Sequence, residues 1–303
     1  MKNIKLLAFI GILISISFVS VMGQTSENKL ILGGTYFFEE ELLNKLADYL
    51  TEELERPVEV KIYEKTSHLH DDMDKHVPDI LFMNSYGYVY GHAKYPDYTA
   101  FSALGRNGNP DSYKSCIIVS AEAQYKNLDD LIEDASNVDL RFVHATSTSG
   151  HIVPRYELRK RDITQAEASF KNIDFAGSHK DAIMAVINGT ATAAACGLPS
   201  LEYCIEQGNL KKDQYRILWK SHEIQGAPVV YNTELDTDTK EQIKKAFLKM
   251  AQKDPDAYKF VQNTFHADMK SQFISVNDSQ YDVIRSMASS MEDLILFLNF
   301  YMQ

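Results

Sequence analysis

Residues 140–160 read LRFVHATSTSGHIVPRYELRK, and this stretch combines a strand pattern, a turn and a helix pattern. The apolar run at residues 140–143 predicts a strand, and residues 156–160 favour a helix. Between them, Ser147, Thr148 and Ser149 place three hydroxyl groups within one turn. Because a helix N-terminus has free N–H groups and partial positive charge, this turn predicts a site for a tetrahedral oxyanion. Serine and threonine are also common helix caps, so a purely structural role is equally open at this point.

Strand and helix patterns alternate on both sides of this stretch. The predicted strands are residues 29–32, 58–62, 80–83, 116–119, 140–143, 191–195 and 216–218. The predicted helices are residues 39–55, 128–132, 178–188 and 237–250. This alternation predicts an α/β fold with mostly parallel sheets. The length of 303 residues suggests about two domains, and the lack of a long linker predicts that more than one strand crosses between them.

The charge balance limits the possible binding partners, and the first residues indicate the cellular compartment. With 31 Lys and Arg against 42 Asp and Glu, the formal net charge is -11, so nucleic acid is excluded as the main partner. Lys2 and Lys5 precede an apolar run at residues 6–22, and Val21 and Gly23 suit a signal-peptidase site. This pattern predicts a cleaved signal peptide, residues 1–23, and export to the periplasm. A retained anchor is the alternative, but a span needs about 20 apolar residues.

Several spaced motifs resemble one known family. Ser147-Thr148-Ser149-Gly150, followed by Val153-Pro154, is similar to the signature of the phosphate/phosphite/phosphonate family of ABC-transporter substrate-binding proteins. Other segments that match the family in the same order are Tyr113 with Ser115, FAGSH at 175–179, AVING at 185–189, LWKS at 218–221, and residues 273–285. Several motifs in one order are more specific than any one of them.

The resemblance implies an α/β, two-lobed periplasmic-binding-protein (type II) fold with two crossing hinge strands. We expect residues 24–115 and 223–303 to form the first lobe and residues 116–222 the second. The resemblance also implies a small phosphorus oxyanion as ligand, namely phosphate, phosphite or an alkylphosphonate. The residues expected to bind it are Ser147, Thr148, Ser149, His179 and Tyr113, joined by Thr66 and Tyr86 from the first lobe.

Two positions depart from the family pattern. Thr66 stands where phosphonate-binding relatives have a tyrosine, in the loop after the strand at residues 58–62. Ala227 precedes Pro228 where those relatives have an acidic residue that holds a ligand ammonium group. Because a hydrogen bond to a charged group contributes about 1.5–3 kcal/mol, we expect phosphate, phosphite or a short alkylphosphonate to bind better than 2-aminoethylphosphonate.

The resemblance implies an ABC importer permease in the inner membrane as partner, and a monomer that is not an enzyme and needs no cofactor or metal. One alternative is a periplasmic subunit that senses an oxyanion for a two-component histidine kinase. A more distant one is a secreted serine hydrolase, with Ser147 or Ser149 as nucleophile and His179 as base. That chemistry needs a third orienting group, and no acidic partner is evident at a known spacing.

Two further groups of residues carry weaker signals. His68, His70 and His76 lie among three aspartates in a metal-like composition, but we expect a surface helix capped by Thr66 or Ser67. Cys116, Cys196 and Cys204 are predicted to be buried free thiols, with a Cys196–Cys204 disulfide as the alternative in an oxidising compartment.

Overall fold

A computed structural model of the protein describes residues 29–35, 40–265 and 267–289, so the predicted signal peptide lies outside the described residues. The strands are β1 Leu30–Thr35, β2 Val58–Tyr63, β3 Ile80–Phe82, β4 Tyr98–Arg106, β5 Asn109–Pro110, β6 Ser112–Tyr113, β7 Ser115–Ser120, β8 Asp139–Phe142, β9 Asn172–Phe175, β10 Ala193–Gly197, β11 Tyr215–Lys220, β12 Ile224–Gln225, β13 Pro228–Asn232 and β14 Gln272–Ser275. The α-helices are α1 Glu40–Leu54, α2 Thr66–Met73, α3 Ser85–Lys94, α4 Leu128–Glu133, α5 Val153–Lys160, α6 Ala166–Ser169, α7 His179–Ile187, α8 Leu198–Glu206, α9 Thr237–Lys253, α10 Pro255–Thr264 and α11 Asp282–Ser289.

The first lobe is built on a sheet with the strand order β14-β4-β13-β3-β1-β2, with β5 beside β4. Apolar side chains cover both of its faces. On one face, leucines of α1 pack with Phe82 of β3 and Phe247 of α9. On the other, Tyr86 and Tyr88 of α3 pack with Tyr281. The helical spacing of apolar residues in α1 and α9 therefore places both helices on the core as predicted.

The second lobe is built on a smaller sheet with the strand order β11-β7-β10-β8-β9. The apolar runs of β7 and β10 are fully buried because helices cover both sheet faces. Among these helices, α7 begins at an N-cap, Ser178, whose side chain accepts the Asp181 N–H. It ends before Gly189, which has a φ of 72°. That left-handed conformation favours glycine, which ends the helix.

Both sheets are mixed, so the prediction of mostly parallel sheets is wrong. Strands β1, β2 and β3 are parallel, but β13 is antiparallel to both of its neighbours, β3 and β4. In the smaller sheet, β7 is antiparallel to β10 and β11. The chain leaves the first lobe after β5 and returns as β13, which inserts between two earlier strands. An apolar run identifies a buried strand, but its direction depends on this long-range return.

Two short strands connect the lobes. β6 carries the chain from the first lobe to the second, and β12 carries it back, and the two form an antiparallel pair. Ile224 lies opposite Tyr113, and Gln225 lies opposite Ser112. This pair is called the hinge ribbon below. The prediction of two lobes joined by two crossing strands is confirmed.

The histidine-rich segment forms the predicted helix, α2, but the predicted cap is wrong. Lys65 is the N-cap, and its side chain makes no capping hydrogen bond. His70 is buried and stacks on Tyr90, whereas His76 lies beside Asp97 and Glu234 on the surface of the first lobe. The histidines of this segment therefore face different neighbours.

The three cysteines are free and buried, as predicted. Cys196 lies opposite Cys116 in the pairing of β10 with β7, with their Sγ atoms 3.5 Å apart. The alternative of a Cys196–Cys204 disulfide is therefore absent from this structure. Within the described part of the chain, no helix combines the length and apolar character that a membrane crossing requires.

Candidate functional site

A cleft of about 720 Å³ lies between the two lobes. Strands β8, β9 and β10 are parallel, so their carboxyl ends meet at one edge of the second-lobe sheet and the loops that follow them line the cleft together. The hinge ribbon and the ends of β3 and β4 supply the opposite wall. The topology thus converts three separate segments of sequence into one surface.

The loop after β8, residues 144–150, is called the anion loop. Its backbone turns sharply because the Ser147 hydroxyl accepts the N–H of Gly150 at 3.0 Å. The chain then continues through a π-helical turn, Thr148–Ile152, into α5. At Gly150 a Cβ atom would lie 2.2 Å from Cγ2 of Val143, so only glycine allows this close approach.

The three consecutive hydroxyls of the anion loop have different partners. Ser147 is the N-cap, which is the structural role that the sequence left open. Thr148 bonds to the first lobe: its Oγ1 accepts the N–H of Tyr86 at 3.0 Å and donates to Asn84 Oδ1 at 3.1 Å. Ser149 lies within hydrogen-bonding reach of the Tyr113 phenol on the hinge ribbon. The triplet therefore joins the second lobe both to the first lobe and to the hinge.

A histidine from the first turn of α7 completes this side of the cleft. Nδ1 of His179 accepts the N–H of Gly197 at 3.0 Å. Burial lowers the pKa of His179 to about 4, so the imidazole is neutral near pH 7. A neutral ring that accepts through Nδ1 must carry its proton on Nε2, which makes His179 a neutral donor. Burial, with a smaller effect from the neighbouring His179, likewise lowers the pKa of His144 in the cleft to about 3.

A chain of buried hydrogen bonds stabilises the anion loop. His151 Nδ1 donates to the carbonyl of Ala145 at 2.6 Å, and its Nε2 accepts from Arg155 Nε at 2.9 Å. The Arg155 guanidinium is held in turn by both carboxylate oxygens of Glu167. Because burial lowers the pKa of His151 well below its ordinary value, the ring stays neutral and fixes the loop carbonyl.

Among the described residues that line the cleft, the formally charged ones lie on the first-lobe wall. Arg106 Nε lies 3.3 Å from Asp111 Oδ1, and Arg106 Nη1 lies 2.9 Å from Asp268 Oδ2. The backbone carbonyl of Asp111 accepts the N–H of Gly226 at 2.8 Å, which brings it next to Ala227. Sequence reasoning missed these three charged residues. A signal existed for Asp111, because residues two apart in an extended segment share a side and Tyr113 was already a candidate.

The structure brings together five of the seven predicted site residues. The residues that line the cleft are Ser147, Thr148, Ser149, His179 and Tyr113. Thr66 and Tyr86 line a separate cavity of about 20 Å³, and Asn84 lies between this cavity and the cleft because it contributes to both. The Tyr86 side chain is buried, and its backbone N–H makes the contact with Thr148. These two residues therefore lie behind the cleft wall rather than on it.

Comparisons with known proteins agree on one family. The Phosphonates-binding periplasmic protein of Escherichia coli is 31% identical over 147 residues, which cover 48% of this chain and 42% of that protein. The Phosphate-import protein PhnD of Mycolicibacterium smegmatis is 26% identical over 181 residues, 57% of this chain and 55% of that protein. The matches thus span about half the length of these curated relatives.

A solved structure agrees in fold. PhnD1 from Prochlorococcus marinus, in complex with methylphosphonate, superimposes with a TM-score of 0.72 at 19% identity, covering 87% of this chain and 98% of that one. At that identity the likeness shows the type II periplasmic-binding-protein fold alone.

The family model described as "ABC transporter, phosphonate, periplasmic substrate-binding protein" matches residues 39–281. The chain therefore belongs to the phosphonate substrate-binding family of ABC transporters.

Proposed function

We propose that this protein is a periplasmic substrate-binding protein that captures a phosphorus oxyanion between its lobes and passes it to the permease of an ABC importer in the inner membrane. The observation that carries the proposal is the convergence of the anion loop and His179 on one cleft. Family membership supports it, because members are binding proteins. The names of the two curated relatives and the methylphosphonate bound to PhnD1 point to the same ligand class.

Recognition uses neutral donors on the second lobe. Ser147 and Ser149 supply hydroxyl groups and Thr148 supplies its backbone N–H at a turn leading into a helix, and His179 supplies its Nε2–H. Each N–H or O–H adds a fraction of a counter-charge, as at other helix-terminal anion sites. When the cleft closes, neutral donors can replace the water around the anion. No formal cation is then buried in the cleft, where it would need a partner of its own in the absence of ligand. In this proposal Tyr113 adds a contact from the hinge.

In this proposal the two lobes close around the ligand because contacts on both sides of the cleft are made only in the closed state. A ligand favours the closed state only if it interacts better with that state than with the open one. The donors lie mainly on the second lobe. Two hydrogen bonds, from the Tyr86 N–H to Thr148 Oγ1 and from Thr148 Oγ1 to Asn84 Oδ1, join the lobes when they meet. In this proposal, Thr66 and Tyr86 support that contact from behind the wall. The short hinge ribbon allows each lobe to move as a packed body.

The geometry of His179 argues against the hydrolase alternative. A general base needs a free lone pair facing the nucleophile. Nδ1 of His179 already accepts the Gly197 N–H, and its Nε2 carries the proton. In this proposal the ring therefore donates to an oxyanion rather than taking a proton from Ser147 or Ser149.

Calorimetry on purified chain with inorganic phosphate, phosphite and methylphosphonate tests the proposal. We expect at least one of them to bind, and the combined change Ser147→Ala, Thr148→Ala and Ser149→Ala to abolish that binding. Ser169→Ala is the control, since among the described residues its hydroxyl bonds to the carbonyl of Gln165, the N-cap of α6. Unchanged affinity in a folded triple variant would overturn the site. Loss of uptake of the bound anion in a gene deletion would favour transport over the sensing alternative.

A further inference from the structure

Two cysteines of the second lobe face each other across inner strands of its sheet. Cys116 on β7 lies directly opposite Cys196 on β10, and their Sγ atoms are 3.5 Å apart. Both side chains are fully buried among apolar residues such as Ile118 and Ile183. The third cysteine, Cys204, lies on the helix α8 rather than on a strand. The first two cysteines are therefore placed as a pair.

The backbone already holds this pair at the separation that a disulfide requires. Directly opposite residues of an antiparallel pair have Cα atoms about 4.5–5.5 Å apart. Disulfides usually join Cα atoms that are about 4.4–6.8 Å apart. A bond between the two Sγ atoms therefore needs only a movement of the side chains, and the register of the strands stays as it is.

Burial decides when the pair can react. The hydrogen bond with Cys116, together with burial, raises the pKa of the Cys196 thiol well above its ordinary value, so the thiol stays protonated in the folded sheet. The thiolate is the nucleophile in disulfide chemistry, and a protein oxidant cannot reach an enclosed sulfur atom. Oxidation therefore has to occur while the second lobe folds, before β7 and β10 are covered.

The cysteine pair adjoins residues that position the second-lobe part of the site. The next pair along the same two strands is Ser115 opposite Gly197. The Ser115 hydroxyl donates to the carbonyl of Ser149 in the anion loop at 2.6 Å, and the Gly197 N–H donates to Nδ1 of His179 at 3.0 Å. A covalent bond across the cysteine pair would hold both of these supports in register.

We propose that Cys116 and Cys196 form a disulfide when the exported chain folds in an oxidising compartment, with a protein disulfide carrier as the oxidant. The thiolate of one cysteine attacks the carrier disulfide, which forms a mixed disulfide and releases one carrier thiol. The other cysteine attacks the mixed disulfide, so the Sγ–Sγ bond forms and the second carrier thiol leaves. In all, two electrons and two protons pass from the two cysteines to the carrier.

The bond would close a long loop, because the two cysteines are 80 residues apart in the chain. The segment between them contains β8, β9 and the anion loop. In the chain-entropy model, the stabilisation that a disulfide provides grows with the length of the loop it closes. The bridge would therefore stabilise most of the second lobe against unfolding.

The test refolds the denatured and reduced chain in two buffers, one containing oxidised and reduced glutathione and one containing dithiothreitol alone. Free thiols are then alkylated under denaturing conditions. A protease that cleaves after glutamate separates Cys196 from Cys204 at Glu202. In the glutathione buffer we expect a linked pair of peptides that contain Cys116 and Cys196, with alkylation at Cys204 alone. In dithiothreitol we expect alkylation at all three cysteines.

The two preparations should also differ in stability. We expect the Tm of the bridged chain to exceed that of the reduced chain by at least about 5 °C, because the closed loop is long. Cys196→Ala should abolish this difference, and alanine suits the site because residues 193–195 of β10 are already alanine. Cys204→Ala is the matched control: it removes a buried thiol of the same lobe and should keep the difference.

Three alkylated cysteines, either after refolding with glutathione or in chain recovered from the periplasm of a producing bacterium, would overturn the proposal. A bridge that includes Cys204 would overturn it as well. Equal Tm values in the two buffers would refute the stabilising role of the bond. The inference does not depend on the identity of the ligand, so these outcomes leave oxyanion binding to its own test. The wild-type comparison needs no substitution, so it is decisive even if a variant does not fold.

Discussion

The contact of Thr148 with the first lobe offers a direct test of how the lobes close. Thr148→Val keeps the shape of the side chain and removes its hydroxyl. Two hydrogen bonds between the lobes are lost, one from the Tyr86 N–H at 3.0 Å and one to Asn84 Oδ1 at 3.1 Å. Each is worth about 0.5–1.5 kcal/mol net, so the closed state should lose about 1–3 kcal/mol relative to the open one. That difference corresponds to about a 5- to 150-fold change in the closure equilibrium.

Small-angle scattering of ligand-free protein isolates this effect, because Thr148 is also a proposed ligand contact. We expect a larger radius of gyration for Thr148→Val than for wild type. The apparent Kd for methylphosphonate should rise by at least the reduction in the closed population. Thr192→Val is the control, since its hydroxyl accepts the Asp139 N–H within the second lobe and should alter stability alone. Identical scattering of a folded Thr148→Val variant and wild type would refute the closure argument.

Three further predictions concern motion, packing and pH. Saturating methylphosphonate should reduce the radius of gyration of the wild-type chain; binding without any change would mean that the hinge ribbon does not act as a hinge. Gly150→Ala should lower the Tm, because its Cβ would lie 2.2 Å from Cγ2 and 2.5 Å from Cβ of Val143 and overpacking costs about 1–3 kcal/mol; an unchanged Tm would contradict this packing. The pKa values of His144 and His179 are lowered from 6.5 to about 3 and about 4, so the unfolded chain binds protons first. Their stabilising contribution is therefore full above about pH 6.5 and is lost as the pH falls towards 4. Thermal melts should show a smaller fall in Tm for His179→Gln than for wild type over that range, and an equal fall would contradict the assignment.

The local sequence pattern was sufficient to predict the helices and strands and the part of the site that lies on the second lobe. The periodicity of apolar residues in α1 and α9 depends on neighbours within a few residues, and the structure has both helices as predicted. The anion loop is a continuous run whose hydroxyls and glycine lie within one turn. Its chemistry could therefore be proposed before any fold was known.

Tertiary structure decided three other features: the direction of β13, the contact between the lobes, and the charged residues of the first-lobe wall. Thr148 and Asn84 are 64 residues apart in the chain, and Arg106 and Asp268 are 162 apart. No periodicity in one segment specifies which distant segment it will face, because that choice is made by packing of whole lobes across the hinge. Burial likewise decided that Tyr86 contacts Thr148 through its backbone rather than its ring. The sequence by itself determined the elements and the anion loop, and only the folded chain decided what stands opposite that loop.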